Sequence, residues 1–109
     1  MCGIFALLNN RDTYSEKTLQ TAFAKGKSRG PEGSTFKRIG EKVHVGFHRL
    51  AINGLTGVSD QPMTIDGITL ICNGEIYNYR ELFSMLGITP TTESDCEVII
   101  HLYLKYGIQ

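Results

Sequence analysis

Charge of one sign is what this chain most plainly lacks: eleven basic residues stand against eleven acidic ones in 109. That balance gives no sign of a polyanionic partner, so nucleic acid and acidic membrane surfaces leave the list of candidates. Cysteine is scarce, and Cys2, Cys72 and Cys96 are odd in number with no CxxC spacing. Neither a disulfide framework nor a zinc site is suggested, and the three read as thiols of a reducing, cytoplasmic compartment. His44, His48 and His101 lack metal-like spacing with a carboxylate or thiol. There is no Asn-x-Ser/Thr site, no repeat and no low-complexity tract. The apolar run at residues 2–8 (CGIFALL) lacks a basic flank and a cleavage site, and it is too short to span a bilayer. Gly26-Lys27-Ser28 ends like a phosphate-binding loop, but Thr21 stands where the first glycine must be and a helical pattern precedes it.

What is present is ordinary globular usage, 41% hydrophobic and 20% charged, in a length that allows one domain at most. Residues 2–8 read as a buried strand starting at the beginning of the chain. Thr13-x-x-Glu16 fits a capping box, and Leu19, Ala22 and Phe23 share a helical face, so a helix is expected over 15–24. Glycines 26, 30 and 33 with Pro31 make a loop. Residues 34–39 and 43–52 read as strands, the second alternating through Val43, Val45 and Phe47, with a turn at 53–57. Residues 68–72 form a short apolar strand. Asn78-x-x-Glu81 and Ser94-x-x-Glu97 open two further helices, to Leu86 and to about Tyr106, the latter with Val98, Ile99, Leu102 and Tyr106 on one face. The order predicts an α+β fold with a mostly antiparallel sheet covered by helices. The last helix face has nothing after it to pack against, so the chain is expected to be short of a full domain.

Four features could carry chemistry. If Met1 is removed, Cys2 has thiol and free amine on one residue. An α-amine with a pKa of roughly 7.7–8.0 is about one-third neutral near pH 7.5, against about one lysine in a thousand, so such a cysteine brings its own base. The competing reading is a core cysteine. Asn73-Gly74 could supply a side-chain NH2 and an unobstructed N–H to a developing oxyanion, and equally it is a hairpin signal. Arg49 could grip a carboxylate or be an edge-strand surface arginine. Asp95, one residue after a predicted N-cap, could receive an ammonium group or simply complement the helix dipole.

Six motifs then occur in order: Met1-Cys2-Gly3-Ile4, Arg29-Gly30-Pro31, His48-Arg49-Leu50-Ala51-Ile52, Gln61-Pro62-Met63, Asn73-Gly74-Glu75-Ile76-Tyr77-Asn78 and Ser94-Asp95-Cys96-Glu97-Val98-Ile99. The set resembles the glutaminase domain of class II glutamine amidotransferases, which are N-terminal-nucleophile hydrolases. It resembles the asparagine synthetase branch most in its NGEIYN and SD-x-EVI wording. The resemblance covers nearly the whole chain. It implies an αββα sandwich of antiparallel sheets, and a single glutaminase domain over 1–109, truncated at its C-terminus and without a synthetase domain.

It also implies that Cys2 attacks the side-chain amide of L-glutamine, with its own amine shuttling the proton. Asn73 and the Gly74 N–H would form the oxyanion hole, and Arg49 would hold the α-carboxylate. Asp95, helped by Glu75 and the Ile52 carbonyl, would hold the α-ammonium. No metal or organic cofactor is implied. A synthetase domain, a separate subunit or a second copy would complete the fold. The alternatives are a catalytically inactive fragment or binding module, and a Cys–His acyl transferase using His48. The chain departs from the family in ending before its later strands, in lacking the GMFAFALYD-like segment and the SGGxDS-type loop, and in carrying Glu32 and Asn53 where aspartates are usual.

Overall fold

The computed structural model describes residues 2–50 and 61–108. The end of the predicted 43–52 strand, the turn at 53–57 and the Ile52 carbonyl lie outside the described residues. The chain divides into two compact units, residues 1–51 and 52–109.

The first unit is a three-stranded antiparallel sheet of β1 (Gly3–Leu7), β2 (Gly33–Ile39) and β3 (Val43–Arg49), with α1 (Glu16–Ala24) before β2 and β3 in the middle. Register runs from Gly3 opposite His48 to Leu7 opposite His44, and from Gly33 opposite Arg49 to Ile39 opposite Val43. Helix α1 is capped by Ser15, whose hydroxyl accepts from the Thr18 N–H at 3.2 Å. The cap therefore lies two residues beyond the predicted Thr13. Leu19 and Phe23 are its buried side chains.

Phe23 is the centre of this unit. Its ring lies 5.9 Å from Phe5 and 5.5 Å from Phe36, and it stacks on His48 at 4.0 Å. Burying such a ring contributes about 2–3 kcal/mol. The ring reaches the sheet because residue 46 is glycine; a Cβ there would come within 2.5 Å of it. The alternation expected along β3 is consequently hidden. Val45 and Phe47 are buried on one face, while His44, Gly46 and His48 are buried on the other. Conversely, β1 is less buried than expected, with Ile4 half exposed.

In the second unit, β4 (Met63–Ile65) and β5 (Ile68–Leu70) form a hairpin, followed by α2 (Tyr79–Leu86) and α3 (Glu97–Tyr106). The sequence reading missed this hairpin, although Asp66-Gly67 was its signal. Both residues have positive φ, +48° and +78°, as a two-residue hairpin turn requires. Strand β5 is also two residues shorter than predicted, because the Cys72 N–H leaves the ladder for the side chain of Gln61 at 2.5 Å. Helix α2 ends at Gly87 with φ +68°. It packs on α3 through Phe83, whose ring meets His101 edge-on at 5.5 Å.

Helix α3 differs from expectation in two ways. It starts at Glu97, not directly after Ser94, and its buried side chains are Glu97, Val98, Ile100 and His101, with Tyr106 outside. Both follow from Glu97 turning inward, described below. Among the described residues, no helix is long and apolar enough to cross a membrane. The architecture is thus α+β with small antiparallel sheets and helices.

One glycine in this fold is fixed by close backbone approach. A Cβ at Gly30 would lie 2.2 Å from the His48 carbonyl oxygen. Gly30→Ala is expected to destabilise the protein by about 2 kcal/mol or more. Ser28→Ala, at a nearby exposed position, should stay within about 0.5 kcal/mol. Urea unfolding midpoints check both.

Candidate functional site

In the first unit the candidate residues gather at one end of the sheet. Cys2 precedes β1, and the register of β1 on β3 brings it to the Arg49 end of the central strand. Its half-buried thiol accepts from the Leu50 N–H at 3.2 Å and donates to the Leu50 carbonyl at 3.4 Å. The Arg-Gly-Pro segment is a strap over this end. Gly30 lies against the His48 backbone, the Glu32 N–H donates to the Arg49 carbonyl at 3.2 Å, and the Arg29 Nε donates to the Cys2 carbonyl at 3.5 Å. Arg49 is half-buried at the end of β3 and paired with Gly33. The structure therefore brings Cys2 and Arg49 to the same sheet end, and Arg29 joins them without having been singled out as a side chain.

His48 is not part of that group. Its Nε2 donates to the Phe23 carbonyl at 2.7 Å, its Nδ1 pairs with the Ser34 hydroxyl at 2.7 Å, and it is 2% exposed. Both ring nitrogens are committed, so it is a packed core histidine and not a base for Cys2.

In the second unit, the segment after β5 and the segment before α3 are laced together. Oδ2 of the buried Asp95 accepts from the Ile76 N–H at 2.5 Å, and the Cys96 thiol donates to the Gly74 carbonyl at 3.6 Å. Asn73, Gly74, Glu75 and Asp95 thus belong to one local structure. Asn73-Gly74 is not a hairpin turn. Neither residue has the positive φ that such a turn needs, and a Cβ at 74 would meet only Cys72 Sγ, at 3.9 Å. Neither backbone strain nor packing requires glycine there. Asn73 is half-buried, while Gly74 and Glu75 are exposed.

Glu97 holds this arrangement and was overlooked as a functional residue. The capping-box reading has its carboxylate reaching back to the Ser94 N–H. Instead Oε1 accepts from the Thr91 N–H and hydroxyl, both at 2.9 Å, and from His101 Nε2 at 3.1 Å. Oε2 accepts from the Thr92 N–H at 2.7 Å and hydroxyl at 2.6 Å. Ser94 instead donates its N–H to the Thr92 hydroxyl at 3.1 Å and accepts from the Cys96 N–H at 3.2 Å. The available signal was Thr91-Thr92, two hydroxyl donors just upstream of a buried helix start. Gln61, 6% exposed, also matters: its side chain anchors Cys72 beside Asn73.

Burial pushes the Cys96 thiol well above its usual range, and the neighbouring Cys72 thiol and Asp95 carboxylate push it further. It stays protonated and unreactive at neutral pH. Burial also acts to raise the Glu97 carboxyl. The Thr92 hydroxyl, the Thr91 N–H, His101 and the Thr92 N–H outweigh it and bring the group from 4.5 down to about 2.

Comparison with known proteins follows the same residues. A family model described as a glutamine amidotransferase domain matches residues 1–109. An asparagine synthetase [glutamine-hydrolyzing] of Gallus gallus is 36% identical over 115 residues, covering 100% of this chain and 20% of that protein. One of Sandersonia aurantiaca is 40% identical over 112 residues, covering 98% and 21%. Asparagine synthetase [glutamine-hydrolyzing] 2 of Bacillus subtilis (strain 168) is 38% identical over 114 residues, covering 99% and 15%. The chain belongs to the glutamine amidotransferase domain family. It spans about a fifth or less of the length of these relatives.

The Glu97 bonds set a pH dependence. A folded-state pKa below the unfolded value means that the stabilisation is complete above about pH 4.5 and is lost as pH falls toward 2. A shift of this size is worth about 3 kcal/mol. Urea midpoints of the wild type should therefore fall more steeply between about pH 5 and pH 2 than those of Glu97→Gln.

Proposed function

We propose that this chain hydrolyses the side-chain amide of L-glutamine to glutamate and ammonia, as the glutaminase part of an asparagine synthetase-like amidotransferase. The observation that carries the reading is the Cys2 thiol, half-buried between the Leu50 N–H and carbonyl at the sheet end that also bears Arg49. Membership of the amidotransferase family, and relatives named for glutamine hydrolysis, support it.

The reaction runs as acyl transfer. Removal of Met1 frees the Cys2 amine, which takes the thiol proton directly or through a water. The thiolate attacks the amide carbon. The resulting oxyanion is stabilised by the Asn73 side-chain NH2 and the Gly74 N–H. The amine returns its proton to the departing nitrogen, ammonia leaves, and water hydrolyses the thioester. Glutamine is a zwitterion, and each of its charges is read by the opposite one: Arg49 for the α-carboxylate, and Asp95 with Glu75 and the Ile52 carbonyl for the α-ammonium. The chemistry needs no metal or organic cofactor.

In this reading residues 1–109 are the N-terminal part of a glutaminase domain of αββα sandwich type. Further strands and a synthetase domain or subunit complete it and consume the ammonia, in the cytoplasm.

The test is glutamate release from glutamine, with the intact mass of the same sample. Loss of Met1 and activity abolished by Cys2→Ala are expected. Asp95→Asn should raise KM for glutamine by about tenfold or more, the effect of losing one charge-assisted contact. Equal background in wild type and Cys2→Ala, or full activity with Met1 retained, would overturn the mechanism and leave a glutamine-binding or inactive module.

A further inference from the structure

Building on that glutaminase reading, we propose that Glu97 is a positioning residue for the glutamine α-ammonium site: its buried carboxylate closes the 91–97 loop and so fixes where Asp95 stands. The chain of contacts is continuous. Thr91 and Thr92 each give an N–H and a hydroxyl to the carboxylate. Thr92 Oγ1 accepts from the Ser94 N–H, and Ser94 Oγ accepts from the Cys96 N–H. Asp95 sits between those two anchored residues, and its Oδ2 receives the Ile76 N–H, two positions beyond Gly74. The same carboxylate takes His101 from the next turn of α3, so the loop is tied to the helix as well as to itself.

The Thr91 and Thr92 N–H groups require an acceptor at position 97. A glutamine at position 97 keeps the size but replaces one acceptor oxygen with an NH2. That NH2 faces either the Thr91 or the Thr92 N–H, so one backbone donor of the clamp is left against a donor. Residues 91–92 then move away from the helix start, and Asp95 moves with them. Glu97 itself touches no substrate in this scheme; it acts through Asp95.

Substrate comparison separates this role from a general loss of structure. Glutaramate is glutamine without its α-amino group, so its hydrolysis does not use the ammonium site. In Glu97→Gln, kcat/KM for glutamine is expected to fall about tenfold, carried by KM with kcat within about threefold. For glutaramate, kcat/KM should stay within about twofold of wild type. Glu97→Asp, which keeps four acceptor lone pairs on a shorter stem, should recover part of the glutamine preference. Thr92→Val removes one hydroxyl and should shift the preference in the same direction by about threefold, keeping the proposal testable if Glu97→Gln does not fold.

The Ile76 amide proton provides an arm independent of turnover. Its resonance is expected to move upfield in Glu97→Gln and in Thr92→Val as the bond to Asp95 lengthens. An equal fall for glutamine and glutaramate in an active protein would overturn the positioning role. So would an unmoved Ile76 amide, whether or not the protein is active. A wild type that hydrolyses no glutamine while the amide moves as expected would sink the glutaminase reading alone and leave the coupling of Glu97 to Asp95 standing.

Discussion

A fully buried carboxylate organises the second unit. Glu97 has no exposed surface, and a charge so placed is tolerated only when its lone pairs are filled. Two threonines and His101 fill them. The same requirement makes the contact stiff, because any withdrawal of residues 91–92 leaves a buried anion short of donors. Helix α3 takes both its starting point and its buried face from this demand. His101, four residues on, is carried inward with Glu97, and Tyr106 is carried out.

The same device recurs in other irregular segments among the described residues. His48 joins the carbonyl at the end of α1 to Ser34 of β2, and Gly3 lies directly against its ring edge. Gln61 takes the N–H of Cys72, next to Asn73. Asn10 takes the N–H of Tyr14 and gives to its carbonyl, which holds the approach to α1. Loops cannot be fixed by ladder bonds, so buried polar side chains replace them. The glycines at 30 and 46 do the complementary work of letting backbone or ring approach to contact distance.

Environment, not residue type, separates the candidates from their look-alikes. Cys96 and Cys2 are both thiols. Burial, with Cys72 and Asp95 beside it, keeps Cys96 protonated, whereas the Cys2 thiol is half-buried just before a strand, between the N–H and carbonyl of Leu50. His48 and His101 are both within reach of site elements, yet each is occupied in holding structure.

Much of this was legible in the sequence. The α+β class, the positions of α1, β2 and α2, and the ordered motifs that mark the family depend on local signals: periodicity, turn residues and short fixed spacings along one chain. Asp66-Gly67 is likewise a local signal, for the β4–β5 turn. Other features had no local signature. The strap of Arg29-Gly30-Pro31 over the Cys2 end, the release of Cys72 from β5 and the commitment of both His48 nitrogens depend on partners between 11 and 27 positions away. Only the folded chain decides which distant carbonyl or N–H a polar side chain will find. Sequence pattern records where a side chain falls along an element, but hydrogen-bond satisfaction in the interior chooses the direction in which it points.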